Sequence, residues 1–172
     1  LFLRAGENLA GWPRLEEWPE RPWGASDYPE LAAWLDDNQE FLRMVLTASE
    51  QDTIHFDAPG DMQRLSNLEN AVCQKALLLF HQGRVERALR YLDALYRMWE
   101  AVGRACEPSD LIMPLGGRKR ISRVMYSALR GRHVSGRGFQ SVLRKLRDWN
   151  SREAPTLQRL GEAVLHDLGE NI

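Results

Sequence analysis

The sequence contains no apolar run near the roughly 20 residues that a helix needs to cross a bilayer. It also contains no useful stretch of alternating apolar and polar residues, so it predicts no half-buried β-strand. Its two cysteines are too few to define a disulfide framework. These absences argue against a transmembrane segment within this chain and against a small disulfide-stapled domain, and they favour an all-α protein with a hydrophobic core.

Catalytic and metal-binding motifs are missing as well. The four histidines lie in separate segments without a paired spacing such as HExxH, and neither a GxSxG elbow nor a phosphate-binding glycine loop occurs. His55, Asp57 and Asp61 share one loop, but their spacing matches no metal motif. We therefore expect a non-catalytic protein with no metal site and no cofactor.

Helical periodicity runs through most of the sequence. The most apolar stretch, 70–102, has apolar residues at helical spacing on both sides of Gly83, which predicts two antiparallel helices joined by a left-handed turn. The expected fold is all-α, with about six helices in a bundle or orthogonal array around this central antiparallel hairpin. The predicted helices lie near 27–47, 61–82, 85–103, 110–129, 139–149 and 155–168.

Two of these helices contain residues with special backbone preferences. The sequence at 27–30 resembles a capping box and predicts the start of the first helix. Asn38 sits on the apolar stripe of that helix, where a buried amide must be hydrogen-bonded, and we expect it to cap a neighbouring loop. Pro114, followed by Gly116 and Gly117, weakens the start of the fourth helix and predicts either a kink or two shorter helices.

Residues 1–26 predict an extended arm ahead of a single helical domain, 27–172. Four of the six tryptophans lie in the first 34 residues, and three of them adjoin prolines, which favour extended backbone. Two arrangements compete: the indoles either plug grooves on the helical body, which we favour, or stay exposed and bind a ligand, a sugar or a membrane interface. In the second arrangement the candidate partner-binding residues are Trp12, Trp18 and Trp23.

Charge is strongly segregated along the chain although the net charge is only −1. Residues 1–117 carry a balance of −8, residues 118–147 carry +10 without a single acid, and residues 148–172 carry −3. The basic segment 118–147 is the feature with the most functional content, since arginine suits phosphate and carboxylate. Its candidate anion-binding residues are Arg118, Lys119, Arg120, Arg123, Arg130, Arg132, Arg137, Arg144, Lys145 and Arg147.

Three explanations of this basic segment remain open. The acidic N-terminal part could neutralise it through ordinary surface ion pairs, which contribute about 0–1 kcal/mol each. It could bind anionic lipid or an envelope polymer, or it could bind nucleic acid with salt-dependent affinity. Against nucleic acid, stacking aromatics are sparse in the segment, and the sequence pI is only about 6.5.

Ala76, Gly83, Val85, Ala88 and Leu92 fall at spacings that resemble one tetratricopeptide repeat, a family of helical hairpins. The proline expected at the end of the second helix of such a repeat is absent, and no second copy follows at a period of about 34 residues. A tetratricopeptide-like hairpin implies a role in protein interaction.

The order YPELAAWLDDN, a loop, a long hairpin and then DLIMPLGG resembles soluble helical domains of uncharacterised membrane-anchored bacterial proteins. This resemblance implies an envelope location on the outer side of the inner membrane, and it implies no known activity. The resemblance also implies an anchoring segment upstream of Leu1, with the cytoplasm as the alternative location. Because the chain begins with Leu1 rather than Met, we expect a fragment or a processed product.

Together these patterns predict a helical protein-interaction or scaffolding domain, whose partner is most simply another protein. The alternative is an anion-binding domain that acts through segment 118–147 on anionic lipid, an envelope polymer or nucleic acid. The sequence leaves the oligomeric state open.

Overall fold

The computed structural model describes residues 2, 9, 11–51, 62–105, 112–131, 134 and 136–152. Six helices account for most of these residues and none of them lies in a β-strand, which confirms the predicted all-α class. The helix predicted over 155–168 lies outside the described residues. The helices are α1 (Pro29–Asp37), α2 (Gln39–Ser49), α3 (Met62–His81), α4 (Val85–Ala105), α5 (Ile112–Arg130) and α6 (137–152).

The predicted hairpin is confirmed as α3 and α4, joined at Gly83. Gly83 has a φ of 70°, in the left-handed region that a residue without Cβ adopts without strain. The Arg84 N–H donates to the Leu79 carbonyl at 2.9 Å, and the Gly83 N–H donates to the Phe80 carbonyl at 3.0 Å. These two bonds make a Schellman motif, which satisfies the last carbonyls of α3 and turns the chain directly into α4.

Helix α4 lies at the centre of the fold. It packs against α2, α3 and α5, and α3 packs in turn against α5. The aromatic residues of α4, Tyr91, Tyr96 and Trp99, are fully buried among these neighbours. Burial of each large aromatic side chain removes about 150–250 Å² from water, so α4 contributes heavily to the hydrophobic core.

The single helix predicted over 27–47 is two helices, because the chain breaks at Asn38. The buried Asn38 amide donates through Nδ2 to the Trp34 carbonyl at 2.9 Å. A side-chain donor that reaches a carbonyl four residues back offers the backbone an alternative to helix continuation. Asn38 therefore lies at the break between α1 and α2, and the predicted cap of a neighbouring loop stays a prediction. The N-cap of α1 is Tyr28 and not part of a capping box, since the Asp27 carboxylate accepts from the Gly24 N–H at 2.8 Å.

Helix α5 runs through Pro114, Gly116 and Gly117 as one helix, not as the two shorter helices that were one of the two predicted forms. Pro114 lies in the first turn, where an N–H has no partner within the helix and its loss costs nothing. Gly117 faces the Trp99 indole so closely that an added Cβ would lie 2.3 Å from two ring atoms. The glycine is thus part of a close contact between α4 and α5, while Gly116 faces open space.

The N-terminal arm lies against the helical body. The Trp12 ring centroid is 4.5 Å from that of Trp34 on α1, and Trp18 meets Trp12 edge-on with centroids 5.5 Å apart. Trp23 is buried and meets Tyr28 edge-on at 5.7 Å. The arm's indoles therefore extend the hydrophobic core outward from α1.

Candidate functional site

One face of α5 carries a row of arginines. Arg120, Arg123 and Arg130, with Ser127 between the last two, are spaced by three or four residues and so share a side of the helix. The three arginines are exposed, because the opposite side of α5 packs into the core. That buried side consists of Ile121, Met125 and Ala128.

The arm brings a fourth arginine to the same place. Gln74 on α3 accepts a hydrogen bond from Trp23 Nε1 at 3.0 Å and donates through Nε2 to the Pro19 carbonyl at 3.0 Å. These buried bonds attach the arm to α3 on both sides of Arg21. Gln74 and Trp23 thereby position Arg21 across from the arginines of α5.

Between the arm, α3 and α5 lies an open cavity of about 680 Å³, which we call the arginine groove. Four arginines line it, and Glu20 is the sole carboxylate among its described lining residues. The other described lining residues are Pro19, Cys73, Gln74, Leu77, Val124, Tyr126, Ser127 and Gly131. The groove therefore has a strongly positive local charge, although the whole chain is nearly neutral. Such a concentration of one sign in a concave surface attracts anions.

A buried carboxyl group lies near the groove. Glu69 stands one helical turn before Cys73 on α3 and is almost inaccessible to solvent. Burial raises the pKa of Glu69, while the positive charge of Arg120 and the indole of Trp99 lower it. Arg120 thus has a second effect besides its place in the groove, since its charge compensates part of the desolvation of Glu69.

Cys73 is a buried thiol at the floor of the groove. Burial and, to a smaller extent, the charge of Glu69 raise the pKa of Cys73 to about 12, against a lowering effect of Arg120. Cys106, the other cysteine, lies outside the described residues. The neutral thiol form is favoured at every physiological pH, so Cys73 behaves as a small hydrophobic side chain.

We expect Cys73 to resist alkylation in a Cys106→Ser variant. Burial covers the thiol and raises its pKa, which lowers the thiolate fraction at about pH 8, so iodoacetamide should react more than about tenfold more slowly in the native protein than in urea. Mass spectrometry of quenched time points measures both rates. Native and unfolded rates within about tenfold of each other would contradict the closed floor of the groove.

Arg118 does not belong to the exposed basic surface that the sequence predicted. It is only 1% exposed, and its guanidinium carbon lies 5.7 Å from the centroid of the Tyr96 ring. A guanidinium is planar and weakly hydrated, so it can be buried against an aromatic face where an ammonium could not. Arg118 contributes to the packing of α5 on α4 rather than to the groove.

Two residues in the C-terminal part of the basic segment, Arg144 and Lys145, lie beside acids instead. A second cavity of about 450 Å³ lies between α4 and α6, which we call the mixed-charge groove. Its described lining holds three carboxylates and three cations, and Lys145 Nζ is 3.0 Å from Asp93 Oδ1. The described charged lining residues are Glu86, Arg90, Asp93, Arg144, Lys145 and Asp148. The ion pair of Lys145 with Asp93 is the kind of contact that internal neutralisation, one of the three explanations from sequence, predicts.

The remaining predicted anion-binding residues are dispersed. Lys119, Arg137 and Arg147 are exposed and line neither groove. Arg132 lies outside the described residues. The structure thus brings Arg120, Arg123 and Arg130 together and separates them from the other described members of segment 118–147.

The three tryptophans considered as partner-binding residues contact the protein itself. Trp23 is 3% exposed and is hydrogen-bonded to Gln74. Trp12 and Trp18 are half-buried and contact each other, with Trp12 also against Trp34. This geometry corresponds to the first of the two arrangements, in which the indoles fill grooves of the helical body.

Sequence reasoning missed Arg21 and the part played by Gln74. The position of Arg21 depends on bonds between residues more than 50 positions apart, for which the sequence gives no local signal. The burial of Arg118, in contrast, could have been predicted from the spacing of apolar residues in the sequence. It lies three residues before Ile121 and seven before Met125, on the apolar stripe of α5.

No protein-family model, curated protein or solved structure matches this chain. The resemblances to a tetratricopeptide hairpin and to membrane-anchored bacterial domains therefore stay predictions. Among the residues that the structure describes, no helix is both long and apolar enough to cross a membrane. The same residues contain no group of three or more His, Cys, Asp or Glu side chains arranged to hold a metal ion.

Proposed function

We propose that this protein is a non-catalytic binding domain and that the arginine groove is its site for an anionic partner. One observation carries the proposal: four arginines from two segments about a hundred residues apart converge on one open cavity with a single described carboxylate. Like charges at close range repel each other, so bringing the four arginines together opposes folding, apart from the compensation that Arg120 gives to Glu69. A ligand with several negative charges would turn that repulsion into attraction.

The mixed-charge groove supports the proposal by contrast. There the cations of the basic segment lie beside carboxylates, as expected where charge serves internal pairing. In the arginine groove Arg120, Arg123 and Arg130 show no such balance among the described lining residues. The two grooves therefore distinguish Arg144 and Lys145, which lie beside carboxylates, from the arginines of α5, which we propose are available to a ligand.

The test uses labelled inorganic polyphosphate as a probe that carries phosphate charge and nothing else. The groove variant combines Arg21→Gln, Arg123→Gln and Arg130→Gln, and it leaves Arg120 in place because its charge offsets the burial of Glu69. We expect wild-type protein to bind at about 50 mM salt and to release the probe at about 200 mM. The groove variant should bind at least about thirtyfold more weakly, since three phosphate contacts are lost.

The control variant removes the same number of arginines elsewhere in the basic segment, through Arg137→Gln, Arg144→Gln and Arg147→Gln. All three residues are exposed and line no part of the arginine groove. We expect the control variant to bind within about twofold of wild type. Equal losses in the two variants would mean that only total charge matters, and the groove would not be a site.

Thermal unfolding of the same proteins separates binding from folding. The substituted side chains are exposed, so the groove variant should be as stable as wild type or slightly more stable. A folded variant that no longer binds supports a ligand site. Vesicles of phosphatidylglycerol and an acidic peptide, added as competitors, report whether lipid headgroups or a protein segment also occupy the groove.

A further inference from the structure

Tyr126 is a feature of the arginine groove that anion binding alone does not explain. Its side chain is 64% exposed, the highest value for a large apolar residue among those the structure describes. It lines the groove, and it lies one helical turn from both Arg123 and Arg130. An aromatic ring is therefore presented to solvent between two guanidinium groups.

An aromatic ring and the arginines beside it suit a molecule that has both a planar ring and a phosphate group. Arginine binds phosphate through two parallel hydrogen bonds, and an exposed aromatic ring offers a face on which a planar base can stack. The cavity of about 680 Å³ falls within the range of about 300–1,000 Å³ that is typical of small-molecule sites. A polycarboxylate or a lipid headgroup would engage the arginines but would present no planar ring to Tyr126.

We propose that the arginine groove binds nucleotide units, with phosphate at Arg123 and Arg130 and the base stacked on Tyr126. This inference rests on the anion-binding function proposed above. The bound nucleotide unit belongs either to a free nucleotide or to a single-stranded nucleic acid, and the open groove admits both. The shared chemistry is a phosphate joined through a sugar to a planar base.

The experiment compares probes that differ in their bases and proteins that differ at Tyr126. The probes are a labelled single-stranded oligonucleotide of about 12 nucleotides, within the usual range of single-strand sites, and an abasic strand of the same length. Unlabelled AMP and ribose 5-phosphate serve as competitors. The proteins are wild type, Tyr126→Ala, Tyr126→Phe and the groove variant, with Phe139→Ala as a control at another exposed ring.

We expect Tyr126→Ala to weaken oligonucleotide binding by about tenfold, because base stacking on an aromatic side chain is lost. Tyr126→Phe, which keeps the ring, should bind within about twofold of wild type, and so should Phe139→Ala. The abasic strand should bind wild type about as weakly as the oligonucleotide binds Tyr126→Ala, and the alanine variant should not weaken it further. Competition by AMP but not by ribose 5-phosphate would identify free nucleotide as one source.

Two failures can be told apart. The nucleotide inference is overturned, and the anion site stands, if Tyr126→Ala binds the oligonucleotide as tightly as wild type does while the groove variant no longer binds it. The same conclusion follows if wild type binds the abasic and normal strands equally. If the groove variant binds polyphosphate as wild type does, both proposals fall. If polyglutamate displaces the oligonucleotide as effectively as nucleic acid of equal charge does, the inference is also overturned. An acidic protein segment would then be the favoured ligand.

Discussion

Replacing Trp149 with alanine is expected to lower the free energy of unfolding by about 3–5 kcal/mol. Trp149 is 1% exposed and connects α6 to α4. Its ring stacks on Tyr96 with centroids 4.7 Å apart and planes within 3°, and its Nε1 donates to Asp93 at 3.0 Å. Alanine removes the stacked area and the hydrogen bond together, and it leaves a large cavity beside Tyr96.

The expected loss belongs to the side chain of Trp149 and not to its backbone. Tyr96 donates its hydroxyl hydrogen bond to the Trp149 carbonyl at 2.8 Å, and that acceptor survives in the alanine variant. Trp149→Phe keeps a stacked ring and loses the bond to Asp93, so it should cost less, about 1.5–3 kcal/mol. Phe139→Ala on the same helix, at a side chain 39% exposed, should cost under about 1 kcal/mol.

Urea unfolding followed by far-ultraviolet circular dichroism measures these differences without depending on tryptophan fluorescence. The order Trp149→Ala, Trp149→Phe, Phe139→Ala, from most to least destabilised, supports the account of α6. A loss below about 1 kcal/mol for Trp149→Ala would contradict it, because α6 would then be held by something other than this ring.

Gly117→Ala is expected to destabilise the protein by about 1–3 kcal/mol although it raises helix propensity. An alanine Cβ at 117 would lie 2.3 Å from two atoms of the Trp99 indole. Trp99 is buried in the core and cannot rotate away as an exposed flexible side chain could. Either α5 or the indole must shift, and each shift disturbs the packing of α4 on α5.

The adjacent glycine provides a matched control. Nothing lies within 4 Å of a Cβ added at Gly116, so Gly116→Ala should stabilise the protein by up to about 1 kcal/mol through helix propensity alone. Opposite signs at two neighbouring positions of one helix would be hard to obtain from any other cause. If urea unfolding shows both variants to be equally stabilised, the close approach of α5 to Trp99 is contradicted.

Local sequence patterns predicted the helices well where neighbouring residues alone determine where a helix begins and ends. The hairpin at Gly83 follows from helical periodicity and one glycine, and the structure confirms both. The break at Asn38 did not follow, because it depends on which carbonyl the side-chain amide reaches. The continuity of α5 through Gly117 did not follow either, since the glycine serves a contact with another helix.

The sequence predicted an anion-binding site as one alternative, but it did not predict which residues come together to form it. Charge segregation identified segment 118–147, but a count of charges alone does not show which side of a helix each residue takes. Periodicity would have placed Arg118 on the buried side of α5 and Arg120 on the exposed side. Arg21 enters only through the attachment of the arm to Gln74, which is a tertiary contact.

The most direct test of the central claim is arginine footprinting with phenylglyoxal, read by mass spectrometry with and without saturating polyphosphate. We expect the probe to slow modification of the four groove arginines, Arg21, Arg120, Arg123 and Arg130, while Arg137 and Arg147 react at unchanged rates. That pattern would place the anion in the arginine groove. Uniform slowing of all exposed arginines, or slowing confined to Arg137 and Arg147, would contradict the proposed site.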